Sequence, residues 1–163
     1  MPLYRAIPEY ETVLALDRNW VNAYFGLGQS KLHTGAIEET IPLVERAIRL
    51  SPRDPELGVW FNEIGVAHLL QSNTEGSITW FQRARNAIPA HSKFRSYLAA
   101  AYALRGDGER AAAELAEARR LSPDDRYSSL VRLRTFYRGV PKHNALCEAT
   151  YFAGLRKAGM PEE

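Results

Sequence analysis

Gly26-Leu27-Gly28-Gln29-Ser30-Lys31 has the residue types of a phosphate-cradling loop: glycines for close backbone approach and a lysine for charge. It lacks the four-residue spacer and the Gly-Lys-Ser/Thr ending, and it falls inside a helix-patterned stretch where such glycines serve close helix packing. The histidines, His33, His68, His91 and His143, lie far apart. They are read as forming no i, i+4 pair and no motif with cysteine or two acids, so neither a metal nor a cofactor is expected. His68 reads as a satisfied core residue. Cys147 is the single cysteine, so it cannot form an internal bridge; with no base nearby in sequence it reads as a small buried hydrophobe rather than a nucleophile. Arg105-Gly106-Asp107 spells a cell-adhesion tripeptide but sits where a turn between helices is predicted. With no convergent acid, base or nucleophile, the chain is not expected to be an enzyme.

The 163 residues are 45% hydrophobic and 25% charged, with 21 basic against 19 acidic side chains. That composition supports one globular domain with a real core and excludes disorder and a disulfide-stapled miniprotein. Apolar runs fall far short of the roughly 20 residues needed to span a bilayer, and no basic-then-apolar leader opens the chain. A cytoplasmic, soluble protein without membrane insertion is expected. Charge is uneven: 14 basic and 16 acidic residues precede residue 126, and 7 and 3 follow. The late excess, carried by Arg132, Arg134, Arg138, Lys142, Arg156 and Lys157, has no interleaved stacking residues and reads as a solvated face, so nucleic acid is not expected.

Three 34-residue blocks align: 21–54, 58–91 and 92–125, with Pro55-Glu56-Leu57 inserted between the first two. Block position 7 reads Leu27, Ile64, Leu98; position 8 reads Gly28, Gly65, Ala99; position 27 reads Ala47, Ala84, Ala118; position 32 reads Pro52, Pro89, Pro123. A small residue lets a facing helix's bulky side chain in, and the proline ends the second helix of each pair. These columns resemble the tetratricopeptide repeat (TPR) over about two thirds of the chain. The resemblance implies an all-α right-handed superhelical solenoid of helical hairpins. Position 4, usually a large aromatic, departs from the pattern at Arg95.

Residues 1–20 fit the second half of a preceding repeat, with Ala6, Ile7, Tyr10, Val13 and Leu16 at core positions. The missing first helix leaves an edge, with Ile7, Tyr10, Val13 and Leu14 as its self-association residues, and suggests a C-terminal piece of a longer protein or a homodimer. Asp54-Pro55-Glu56 reads as a helix start that lengthens the next helix, and Gly35 and Gly106 as turns within hairpins. Residues 126–137 and 143–158 read as two capping helices that give the last repeat a neighbour. The second buries a face of Ala145, Ala149, Phe152 and Leu155.

In the repeat register, block positions 2, 5, 6, 9 and 13 line a concave face. The residues proposed there to bind a peptide or protein segment are Asn22, Phe25, Gln29, His33, Asn62, Glu63, Val66, Lys93, Ser96 and Tyr97. The chaperone-binding branch of the TPR family clamps a carboxylate with basic and amide residues at five sites that here hold Phe25, Gln29, Glu63, Lys93 and Tyr97. Only Lys93 matches, so a chaperone-tail role is not expected. Arg110–Leu130 and Tyr151–Glu163 also resemble the C-terminal TPR regions of bacterial multidomain class III adenylate/guanylate cyclases. That resemblance implies a signalling parent but no cyclase activity in this chain.

Overall fold

The computed structural model describes residues 3–137 and 139–163, with side chains from Ala6 onward; Arg138 of the basic group lies outside the described residues. Seven helices of 14 residues come first: α1 (Leu3–Leu16), α2 (Val21–Thr34), α3 (Ile37–Leu50), α4 (Leu57–Leu70), α5 (Thr74–Ala87), α6 (Ser92–Arg105) and α7 (Gly108–Leu121). Among the described residues there is no β-strand. The helices pack as antiparallel pairs, α2 on α3, α4 on α5 and α6 on α7, each pair stacking on the next.

The small-residue columns sit at the helix crossings. A Cβ at Gly28 would come within 2.8 Å of Val44, and one at Gly65 within 2.5 Å of the Phe81 ring. Ala47, Ala84 and Ala118 are fully buried. Thr40, at the matching position of α3, donates its hydroxyl to the Gly28 carbonyl at 3.2 Å, so the two backbones approach closely.

Each hairpin turn is built alike. Gly35 (φ 82°) and Gly106 (φ 93°) end α2 and α6 in the left-handed region, and each glycine's own amide and that of the next residue donate to carbonyls of the last turn. In the second hairpin Ser72 holds the same conformation at φ 61°, which a side chain disfavours. Exposed Ser72 makes the Ser72→Gly variant the cleanest stabilising change in the fold. It is expected to add about 1 kcal/mol, read as a melting midpoint about 3 °C higher.

Two expectations from the sequence are revised. Asp54 does not begin α4: it sits in a turn and its carboxylate accepts from the Glu56 amide at 2.9 Å, so only Leu57 of the three inserted residues joins the helix. Of residues 126–137 only α8 (Leu130–Arg134) is helical, capped by Ser129, while Tyr127 is a buried loop residue.

The chain ends in a helical rod of α9 (Pro141–Cys147), a π-helical turn (Glu148–Phe152) and α10 (Ala153–Lys157), stopped by Gly159 at φ 96°. The wide turn changes which side chains face inward. Ala145 and Ala149 are exposed, and the buried side chains are His143, Cys147, Thr150, Tyr151, Phe152, Leu155 and Ala158. Rather than extending the stack beyond α7, the rod crosses the inner face, touching α2 through α9, α4 through the π turn, and α6 through both the π turn and α10.

Candidate functional site

The first helix of each repeat, α2, α4 and α6, presents the inner face. Its side chains divide into an open half and a covered half. Asn22 and Lys93 are exposed, and Phe25, Gln29 and His33 are half-buried. Asn62, Glu63, Val66, Ser96 and Tyr97 are buried, Ser96 and Tyr97 directly under the chain's own rod. Tyr97, read from the sequence as binding an external segment, lies tilted against Tyr151 at 4.2 Å between ring centroids and is stacked on Phe81 at 5.4 Å. Phe25 stacks on Trp60 at 5.8 Å. Gly26, also on this face, is covered by the Tyr10 ring of α1.

Hydrogen bonds fix the rod's height. The Ser96 hydroxyl donates to the Lys93 carbonyl at 2.8 Å, which leaves its oxygen to accept from the Tyr151 hydroxyl at 2.7 Å. Tyr137 donates to the Tyr97 hydroxyl at 3.0 Å. Burial pushes the phenols of Tyr97, Tyr137 and Tyr151 well above their ordinary range, so all three stay neutral. At Gly154 a Cβ would lie 2.6 Å from the Ala100 carbonyl oxygen, so α10 rests on the backbone of α6.

The four-residue spacing of His143 and Cys147 brings them together on α9, a His–Cys contact that corrects the reading of the histidines as isolated. His143 Nδ1 meets the Leu32 carbonyl at 3.1 Å and Nε2 meets the Cys147 sulfur at 3.4 Å. A neutral ring satisfies both, donating from Nδ1 and accepting the thiol proton at Nε2. The His33 ring stacks on His143 at 5.1 Å. Burial, then Glu148, push the Cys147 thiol up to about 12, so it is no nucleophile at neutral pH. His68 is half-buried and bonded to the Asn73 amide rather than enclosed in the core.

Burial, then His33, with Lys93 a smaller contribution, depress the His143 pKa below the ordinary 6.5, against a pull upward from the Leu32 bond. His68 and His91 are depressed too, chiefly by burial. Such rings bind fewer protons folded than unfolded, so their contribution is complete above pH 6.5 and is lost as pH falls from there to the folded values. The urea midpoint is expected to drop between pH 7 and pH 5, and to drop less in the His143→Gln variant. Glu63 has the opposite sign on the acid side: burial raises its carboxyl, against His33 and Lys93, so protonation favours the folded form.

A cavity of about 330 Å³ remains between the rod, residues 126–137 and the repeats, lined by His33, Lys93, Arg126, Tyr127, Tyr137 and His143 among others. On α4, Asn62 Oδ1 and Glu63 Oε1 are buried without a hydrogen-bond partner. Among the described residues no group of three or more His, Cys, Asp or Glu side chains is placed to hold a metal ion. Three of the late basic residues are paired within the chain: Arg132 with Asp125, Arg134 with Glu148 and Glu162, and Arg156 with Glu162. No described helix is long and apolar enough to cross a membrane.

The tetratricopeptide repeat family model matches residues 5–55. No curated protein matches the chain by sequence. Among solved structures it is similar to MamA, at 18% identity and TM-score 0.67 over 94% of this chain and 86% of that one. It is also similar to YrrB, described as a TPR protein with an unusual peptide-binding site, at 21% identity and TM-score 0.62 over 90% and 75%. A third is TTC0263, a thermophilic TPR protein of Thermus thermophilus, at 19% identity and TM-score 0.62 over 88% and 72%. These likenesses, added to the matched residues 5–55 and to helix crossings built on Gly and Ala columns, establish the fold: the chain folds as an all-α solenoid of tetratricopeptide-repeat-like helical hairpins.

Proposed function

We propose that the chain is a non-catalytic protein-interaction module that takes a peptide or protein segment on its inner face. The observation that carries this is the face shared by the first helices of three successive repeats, α2, α4 and α6, on which the chain's own rod already packs. Half of it is left open at Asn22, Phe25, Gln29, His33 and Lys93. A face preorganised on helices binds with little reordering, which favours affinity. The peptide-binding site named for YrrB supports this reading.

The test is capture of cytoplasmic proteins by the wild-type chain beside an Asn22→Ala, Gln29→Ala, Lys93→Glu variant. All three side chains are at least partly accessible, so the fold is expected to survive the changes. Partners held by the wild type should be lost by the variant; retention of every partner overturns the assignment. The cyclase-region resemblance supports placing the module within or beside a bacterial signalling protein of that type.

One observation favours a second reading, self-association or docking through the first edge. Leu16, the last residue of α1, is 86% exposed and Trp20, just before α2, 54%, both large and apolar. The edge residues Ile7, Tyr10, Val13 and Leu14 are half-buried. Sedimentation of wild type against a Leu16→Glu, Trp20→Glu variant separates the readings. A concentration-dependent dimer that the variant abolishes supports the edge; a monomer in both removes it.

A further inference from the structure

Residues 127–137 and 139–163 hold together as an arm. The Leu130 and Val131 amides donate to the Pro161 and Glu162 carbonyls at 2.9 and 3.0 Å. Arg134 joins α8 to both Glu148 and Glu162. The Tyr137 ring meets Phe152 edge-on at 5.4 Å. The non-helical stretch from Ser122 to Arg126, braced by the local Asp124–Arg126 pair, leads from α7 into the arm, and Arg119 of α7 donates to the Tyr127 carbonyl at 2.9 Å.

The arm's fit to the inner face is uneven. Against α6 it is tight: Gly154 lies on the Ala100 backbone and the Tyr151 hydroxyl on Ser96. Toward α2 it is held by His143, bonded to the Leu32 carbonyl at 3.1 Å and stacked on His33, but beside that contact the 330 Å³ cavity is left unfilled. Buried Glu63, whose Oε1 has no partner, is under the electrostatic influence of His33 and Lys93 of the cavity lining, and the π turn, a distortion that often marks functional sites, packs on both α4 and α6.

We propose that the arm is a tethered resident ligand of the inner face. The partner that displaces it is an amphipathic helix of the same chemistry, two adjacent aromatics followed two residues later by glycine, as in Tyr151-Phe152-Ala153-Gly154. This rests on the inner face being the binding surface and adds the partner's chemistry and its regulation. A partner helix that also donates to Glu63 Oε1 has an advantage the arm lacks, since an unmade buried hydrogen bond is costly. Tethering gives the arm an effective concentration on the order of millimolar, so a free helix competes at a disadvantage until the arm is loosened.

The probe is a fluorescein-labelled peptide of residues 141–163, titrated by anisotropy into full-length wild type, Gly154→Leu and Tyr151→Ala chains. A leucine cannot rest on the Ala100 backbone, whereas Tyr151→Ala loosens the arm without a clash and serves if the first variant fails to fold; far-UV circular dichroism checks both. The loosened chains are expected to bind the peptide at least tenfold more tightly than wild type, and a peptide carrying Gly154→Leu to lose that gain. Equal binding by wild type and a folded loosened chain, or no binding to either folded variant, overturns the proposal. That failure leaves partner capture by the open half intact, whereas loss of the open-half assignment would leave the peptide titration unchanged.

Discussion

A Phe81→Ala chain is expected to lose about 4 kcal/mol of stability, seen as a lower urea midpoint at an unchanged slope. Phe81 is completely buried, and its ring fills the space that Gly65 leaves in α4. The ring also stacks on Tyr97, which lies tilted against Tyr151. Truncation therefore removes the transfer energy of the ring, opens a cavity beside a residue too small to collapse into it, and takes the support from an aromatic column that reaches the arm. Because that column joins hairpin to arm, faster hydrogen exchange in α10 should accompany the loss. A variant that melts early with α10 protection unchanged would show the column to be coupled less than its geometry indicates.

Glu114→Ala is expected to cost about 2 kcal/mol. The Glu114 carboxylate, on α7, accepts from Arg85 of α5 at 2.6 Å and from Arg95 of α6 at 3.0 Å, so one acid ties together three helices of two repeats. Its side chain is 10% exposed, and those of the two arginines 27% and 19%, too accessible for the full cost of an orphaned buried charge. Removing the acid leaves two guanidinium groups facing one another with nothing between them. The Glu114→Gln variant keeps the shape and one acceptor and should recover about half of the loss, near 1 kcal/mol, typical of a single hydrogen bond. Equal losses for Ala and Gln would mean that charge, not the bridge, sets the energy.

The same bridge explains why one departure from the repeat pattern is harmless. In the first two repeats position 4 is aromatic and an arginine 22 residues later lies over it: Arg46 over Tyr24 at 5.9 Å and Arg83 over Phe61 at 4.4 Å. In the third repeat the pair is inverted in type, Arg95 at position 4 and Glu117 at the arginine's place, with Arg95 drawn to Glu114. One favourable contact replaces another.

The hairpins were legible in the sequence because their contacts recur. Gly28 facing Val44 and Gly65 facing Phe81 repeat one steric solution, and repetition exposes it without coordinates. The destination of the last helix was not legible. Ser96 and Tyr151 are 55 residues apart, and Leu32 and His143 are 111 apart; each contact occurs once. Ideal helical spacing also pointed to Ala145 and Ala149, because nothing in the local pattern announces a π turn that changes which side chains face inward. The inner-face positions followed from the register, but that Ser96 and Tyr97 meet the chain's own Tyr151 depended on that unannounced packing.

A solenoid flexes by summing small rotations between neighbouring repeats. Here a single rod touches α2 near its start and α6 near its finish, bridging every repeat between them. It works as the tie-bar of an arch: while it is seated, opening one joint must stretch the bar or unseat an end, so the curvature is locked. Unseating it would turn a stiff arch into a spring.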